Sequence, residues 1–146
     1  MPTYTVTSCV KDLPKDAKPQ IAKAITSAHH SATGAQRFFA EVIFRDVDRD
    51  DFFMGGKPLK GDSIYIHGHI RAGRTVGQKQ ELMIQIAKTV SEAAGVPQRS
   101  IWVYLSDIPA EQMLEFGHIL PLPGQEVSWL QSLPEDDQRF LAELNE

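Results

Sequence analysis

The sequence predicts an α/β protein: a two-layer α+β arrangement of two fused β-α-β units, with helices on one face of a four-stranded sheet. Three observations carry that expectation. Four short runs alternate in period two and are rich in β-branched and aromatic residues, at Pro2–Cys9, Phe38–Val47, Ser63–Ile70 and Ile101–Leu105. An amphipathic stretch of helical period separates the first run from the second, and another separates the third from the fourth. The two strand–helix–strand halves span similar lengths, residues 2–60 and 61–122, so the repeat is one of structure rather than of letters. Parallel strands joined through a crossover helix are the natural reading of each half.

Each element has a local reason. Pro2 stands where a missing N–H costs no ladder bond. Residues 11–18 are polar, with prolines in or beside them, and read as a connection. A helix is expected from about Ala17 to Ala32. Its stripe of Ile21, Ala24, Ile25 and Ala28 follows i, i+3, i+4, i+7, and Gly34 stops it. Residues 46–51 have acidic spacing like a calcium loop, but the required Gly is missing and Lys57 stands where the bidentate Glu belongs. They read as a solvated loop that continues through Gly55, Gly56, Pro58 and Gly61.

In the third run Ile64, Ile66, Gly68 and Ile70 share one face, and Tyr65, His67, His69 and Arg71 the other. Thr75 with Gln78 makes a capping box for a helix from about Val76 to Ala94. Leu82, Ile86, Val90 and Ala93 are its expected buried face, and Gly95 and Pro97 end it. In the fourth run Trp102 and Tyr104 oppose Ile101, Val103 and Leu105. Beyond Ile108 the expected elements are a Pro-flanked stretch from Pro109 to Pro123 and a final helix near Pro134–Leu144. Met113, Phe116, Ile119, Leu120 and Leu122 exceed what such a tail can bury on itself, which predicts an oligomer.

At 146 residues the chain fits a single domain over residues 1–146, with residues 123–146 as a tail used in oligomerisation. Hydrophobic residues are 42% and charged residues 23%, ordinary for a globular chain. A net charge of −4 argues against a nucleic-acid partner. The lone Cys9 excludes an internal disulfide, fits a reducing compartment and reads as a small core residue. No apolar run approaches the ~20 residues of a membrane span, and no signal-peptide pattern opens the chain. The expectation is a cytoplasmic protein with no membrane contact.

Chemistry is concentrated at three places. Met1-Pro2 is the first. Methionine aminopeptidase removes an initiator Met before a small residue such as Pro. The mature chain would then begin with a secondary amine that gains or loses a proton near neutral pH. With Met1 retained, the same nitrogen is an amide and does no acid–base work. His29 is the second. It lies four residues past Ile25, at the edge of the buried stripe, whereas His30 turns about 100° away. Taken alone it is also an ordinary helix-end histidine. The third is Arg71-Ala-Gly-Arg74, two guanidiniums between a strand and a capped helix, which suits a carboxylate ligand. His67-Gly-His69 with His29 is a thin alternative as a metal set.

Together these features resemble the tautomerase superfamily, and more narrowly the cis-3-chloroacrylic acid dehalogenase family. The matching stretches are Ala22 to His29, Ile66 to Arg74, and Ile101-Trp-Val-Tyr104 running on to residues 109–115. The resemblance implies catalytic roles for Pro2, His29, Tyr104 and Glu115, with Arg71 and Arg74 binding the substrate carboxylate. It also implies a homotrimer with no metal and no organic cofactor. In a tautomerase reaction neutral Pro2 would move a proton from one site to another. In a dehalogenase reaction cationic Pro2 would protonate the α-carbon while Glu115, with His29 and Tyr104, directs water onto the β-carbon. One departure bears on the choice: Ala35 stands where the dehalogenase pattern has a hydroxyl residue. The implied activity is therefore a tautomerase acting on small carboxylate-bearing enol or 2-oxo acid substrates, with low hydratase or dehalogenase activity. A dedicated dehalogenase is the alternative, and a non-enzymatic oligomeric domain a further one.

Overall fold

Two β-α-β units meet along their first strands. In the computed structural model, which describes residues 2–144, the first unit is β1 (Thr3–Cys9), α1 (Ala17–Thr33) and β2 (Glu41–Asp46). Met1, whose removal the reading of Pro2 requires, lies outside the described residues, as do the last two. After a two-stranded ribbon of β3 (Phe53–Met54) and β4 (Lys57–Pro58) comes the second unit: β5 (Ser63–Arg71), α2 (Val76–Ala94) and β6 (Ile101–Ile108). The sheet order is β2-β1-β5-β6. Pairing is parallel within each unit and antiparallel where β1 meets β5.

One core serves both halves. Tyr4 and Val6 of β1 and Ile64, Ile66 and Ile70 of β5 face Ile21 and Ile25 of α1 and Leu82, Ile86 and Val90 of α2, all fully buried. Each such aliphatic side chain contributes ~1.5–3 kcal/mol by leaving water. The expected alternation of β5 holds, and its other face carries Tyr65, His67 and His69 in half-buried positions. The helix ends follow their local chemistry. Gly34 and Gly95 close α1 and α2 at φ of 72° and 68°, and the Thr75–Gln78 capping box forms in full. On α2 the buried residue of the last turn is Ala94, with Ala93 half-buried.

Several boundaries differ from expectation. Residues Arg37–Phe39 form a 3-10 turn, and the strand begins only at Glu41. Phe39 is drawn instead into a second apolar cluster with Met113 and Leu120, and that packing overrides its strand propensity. The acidic loop is partly ordered by a 3-10 turn at Arg49–Asp51 and by the β3–β4 ribbon. β6 runs three residues further than its apolar alternation because β5 continues beside it to Arg71, opposite Ile108.

The tail holds more structure than the sequence suggests. A hairpin of β7 (Leu114–Glu115) and β8 (His118–Ile119) is followed by α3 (Glu126–Ser132) and α4 (Glu135–Glu143). Met113 and Leu120 are buried against their own chain, so they no longer argue for an oligomer. Leu114, Phe116, Ile119 and Leu122 remain exposed. Among the described residues, no helix is long and apolar enough to cross a membrane.

The register of β1 on β5 sets Tyr4 opposite Gly68. A Cβ at Gly68 would stand 2.5 Å from Cε1 of Tyr4 and 2.9 Å from Cδ2 of Leu105, so the missing side chain is what lets the tyrosine ring lie flat across β5. Gly68→Ala is therefore expected to destabilise the fold by ~1–3 kcal/mol, the scale of core overpacking. Gly77→Ala, whose Cβ meets nothing nearer than 3.9 Å, should instead be neutral or stabilising by up to ~1 kcal/mol. Urea unfolding of the two variants beside the wild type checks this; equal effects at both positions would refute it.

Candidate active site

The antiparallel register places the start of β1 beside the end of β5, so Pro2 and Arg71 come to the same edge of the molecule. Pro2 is fully buried, and its carbonyl accepts from the Glu41 N–H at 3.0 Å. Two residues on, and on the same face, the Tyr4 hydroxyl lies 2.8 Å from Nδ1 of His29. Both groups are out of water: Tyr4 is 0% exposed and His29 5%. Burial raises the Tyr4 phenol well above its usual pKa, so it keeps its proton. Burial, with Arg74 and Arg71 adding to it, lowers His29 to about 3, so the imidazole is neutral. In the tautomer whose ring proton resides on Nε2, the protonated phenol donates to Nδ1. In that tautomer Nε2 of His29 is a hydrogen-bond donor.

Sequence reasoning passed over Tyr4. It read as one more aromatic in a strand, although its parity with Val6 already assigned it to the buried face.

Arg71 is 3% exposed. One terminal nitrogen donates to the Pro121 carbonyl at 2.6 Å, and the other is ion-paired with the Glu126 carboxylate. Its Nε is buried with no hydrogen-bond partner. Arg74, half-buried three residues later, is lowered below the usual guanidinium value by burial and then by Arg71, with Glu126 acting against both. The pair expected to clamp a carboxylate is thus together, but one of its members already holds an internal carboxylate. Glu126 was not foreseen as a site residue. Its helix is only about two turns long, and its apolar residues give no clear period.

Glu115, half-buried on β7, borders a cleft of about 620 Å³ that also touches Thr3, Phe39, Glu41, Met113 and Phe116. Thr3 adjoins Pro2, so the cleft opens beside the chain's first residues. Tyr104 does not join this group. It is 53% exposed on the opposite face of the sheet, edge-on to Tyr65 at 5.3 Å. His67 and His69 occupy that same open face with ring centroids 4.3 Å apart, and His67 bonds Ser106 at 2.8 Å. His29 lies on the buried face, so the three histidines do not converge as the metal alternative needs. Among the described residues no group of three or more His, Cys, Asp or Glu could hold a metal ion. Ala35 is buried, and its carbonyl is held by Nδ1 of His30 at 2.7 Å.

A buried neutral histidine has a consequence for stability. Its folded-state pKa of about 3 lies below the unfolded value of 6.5. Below pH 6.5 the unfolded chain binds a proton that the folded chain refuses, so stability is lost progressively as pH falls towards 3. His29→Gln removes this dependence. Between pH 7 and pH 5 the wild type is expected to lose about 2 kcal/mol more than His29→Gln does. Denaturant unfolding at the two pH values measures it, and parallel losses would mean that His29 titrates normally.

Comparison with known proteins gives four results. A family model described as "Putative oxalocrotonate tautomerase enzyme" matches residues 1–131. The crystal structure of N1, a member of the cis-3-chloroacrylic acid dehalogenase family, superposes with a TM-score of 0.91 at 34% identity, covering 97% of this chain and 99% of that one. "Probable tautomerase LL0574" of Lactococcus lactis subsp. lactis (strain IL1403) is 33% identical over 55 residues, which are 38% of this chain and 90% of that protein. A relative matched over nearly its whole length by so small a share of the chain accords with two fused units. The symmetric trimer of Q0 fused 4-OT shares the fold, with a TM-score of 0.75 at 22% identity over 83% of this chain and 97% of that one.

Proposed function

The chain belongs to the tautomerase superfamily, in its cis-3-chloroacrylic acid dehalogenase-like family, and on that premise we propose that it is a proline-dependent tautomerase of small carboxylate-bearing enol or 2-oxo acids. Membership makes it an enzyme of the superfamily. The observation that carries the finer reading is the gathering of Pro2, a neutral His29, Arg71 and Arg74 at one edge of the sheet.

Removal of Met1 would free the Pro2 amine. Burial and the two nearby guanidiniums favour its neutral form, which makes it a base near pH 7. The substrate carboxylate would take Arg74, with the Arg71 guanidinium close by. Nε2 of His29, carrying its proton, would donate to the enol or keto oxygen as charge develops there. Pro2 then withdraws a proton at one position and returns it at another.

The dehalogenase reading has its own support. Glu115 borders the cleft beside Thr3, where a carboxylate could direct water, and N1 belongs to a dehalogenase family. The two chemistries make different demands. Tautomerisation needs the clamp and the proline; vinyl-halide hydrolysis also needs an activated water. Pro2→Ala is expected to depress both activities by ~10²-fold or more, the scale of a lost acid–base group. Glu115→Gln should nearly abolish cis-3-haloacrylate hydrolysis while sparing most aryl-enolpyruvate tautomerisation. The wild type, with Ala35, should prefer the enol by orders of magnitude. Steady-state assays of both reactions decide, on protein whose mass shows that Met1 is absent. Full activity with Met1 retained would remove Pro2 from the mechanism.

The same reading implies a homotrimer, as in the solved fused relative. Its support here is an exposed apolar rim of Leu114, Phe116, Ile119 and Leu122, together with an open sheet face bearing Trp102 and Tyr104. Light scattering at micromolar concentration is expected to return three times the chain mass; a monomer would leave both surfaces unexplained and Tyr104 without a site to serve.

A further inference from the structure

The C-terminal segment is built onto the arginine turn rather than resting beside it. Pro121 gives its carbonyl to Arg71. Pro123 lies so close to the turn that a Cβ on Gly73 would stand 2.7 Å from its Cγ, and Gly73 itself sits at φ 111°. Glu126, first residue of α3, then completes the contact with its carboxylate on Arg71. Burial opposes ionisation of Glu126, but the bond from Arg71 and the nearby backbone N–H groups outweigh it and hold its pKa below the usual value. The carboxylate is therefore charged at neutral pH.

This changes the charge of the site. Two guanidiniums face one fixed carboxylate, so a single positive charge is left for a ligand. Lys79 and Asp107 nearby cancel each other at 2.7 Å. Arg71 is closed to solvent, its unpartnered Nε included. One carboxylate can take Arg74. A second carboxylate on the same ligand would have to displace Glu126 or lie against it.

From this arrangement we propose that Glu126 is a specificity-determining residue: as the resident counter-ion of Arg71 it restricts the site to substrates with one carboxylate and rejects dicarboxylates. The proposal rests on the carboxylate-binding reading of Arg71 and Arg74 and deepens it. It makes the tail part of the recognition machinery in addition to any role in assembly.

Unreactive aromatic acids test it without turnover. Benzoate and isophthalate share a ring and differ by one carboxylate, and their affinities are read by calorimetry on the intact chain. The wild type is expected to bind benzoate ~10-fold or more tightly than isophthalate. Glu126→Gln, which keeps the shape and an acceptor for Arg71 while removing the charge, should bring the ratio to about one or reverse it. Glu126→Asp, which keeps the charge, should retain the preference for benzoate. Circular dichroism reports whether each variant folds, and the wild-type ratio stands as a test even for a variant that does not. Binding of both acids to the wild type without preference overturns the inference alone. So does an unchanged ratio in folded Glu126→Gln. Failure of either acid to bind the wild type at millimolar concentration overturns the carboxylate reading of the site, and the inference with it.

Discussion

Tyr4 lies opposite Gly68 because β1 runs antiparallel to β5 in one particular register, and the first residues of the chain reach Arg71 through that pairing. A slip of one residue would turn every β1 side chain to the other face. Tyr4 and Val6 would leave the core, and Thr3 and Thr5 would enter it. The tyrosine–histidine bond would be lost, since His29 belongs to α1, on the face of the sheet that Tyr4 would leave. The register is held by the burial of Tyr4, Val6, Ile64 and Ile66 on one side only, and by the gap at Gly68 that admits a ring at one position and not at its neighbours.

A second constraint comes from Arg71. A guanidinium this deeply buried is costly unless its charge is met. The protein meets it with Glu126 and with a prolyl carbonyl, both from a segment about fifty residues further along the chain. Breaking that pair would leave a charge stranded in a dry environment, so the tail is tied to the site more firmly than its short helices alone would suggest. The remaining Nε–H is the exception, a buried donor without a partner.

The fold was legible because its signals are periodic. Alternation in Ser63–Ile70, the helical stripe around Ile21 and Ile25, and the Thr75–Gln78 box each state one local answer, and the packing agrees with all of them. The positions of candidate residues at element ends were legible for the same reason: His29 at the edge of a buried stripe, and Arg71 and Arg74 in a strand-to-helix turn. Contacts made across the chain were not. Glu126 meets Arg71 from a helix without a clear apolar period, and Phe39 leaves its strand run for partners at Met113 and Leu120 that no local rule names. Arg71 shows the limit most clearly. Its parity on β5 assigned it to the open face with His67 and His69, yet the tail covers it and leaves it 3% exposed.

Tyr104 has a different lesson, because the two faces of the sheet do different work. The helix-covered face carries Tyr4 and, through it, His29, in a dry environment that fixes protonation states. The open face carries Tyr65, His67, His69, Trp102 and Tyr104, none of them buried. A sheet one residue thick separates the two, and no side-chain rotation brings Tyr104 around it to the Pro2 edge. If Tyr104 takes the role that family resemblance gives it, the site it serves belongs to a neighbouring copy. On that reading assembly and catalysis are a single requirement. The exposure of Tyr104 in the isolated chain then follows from a role on another copy rather than from a packing defect.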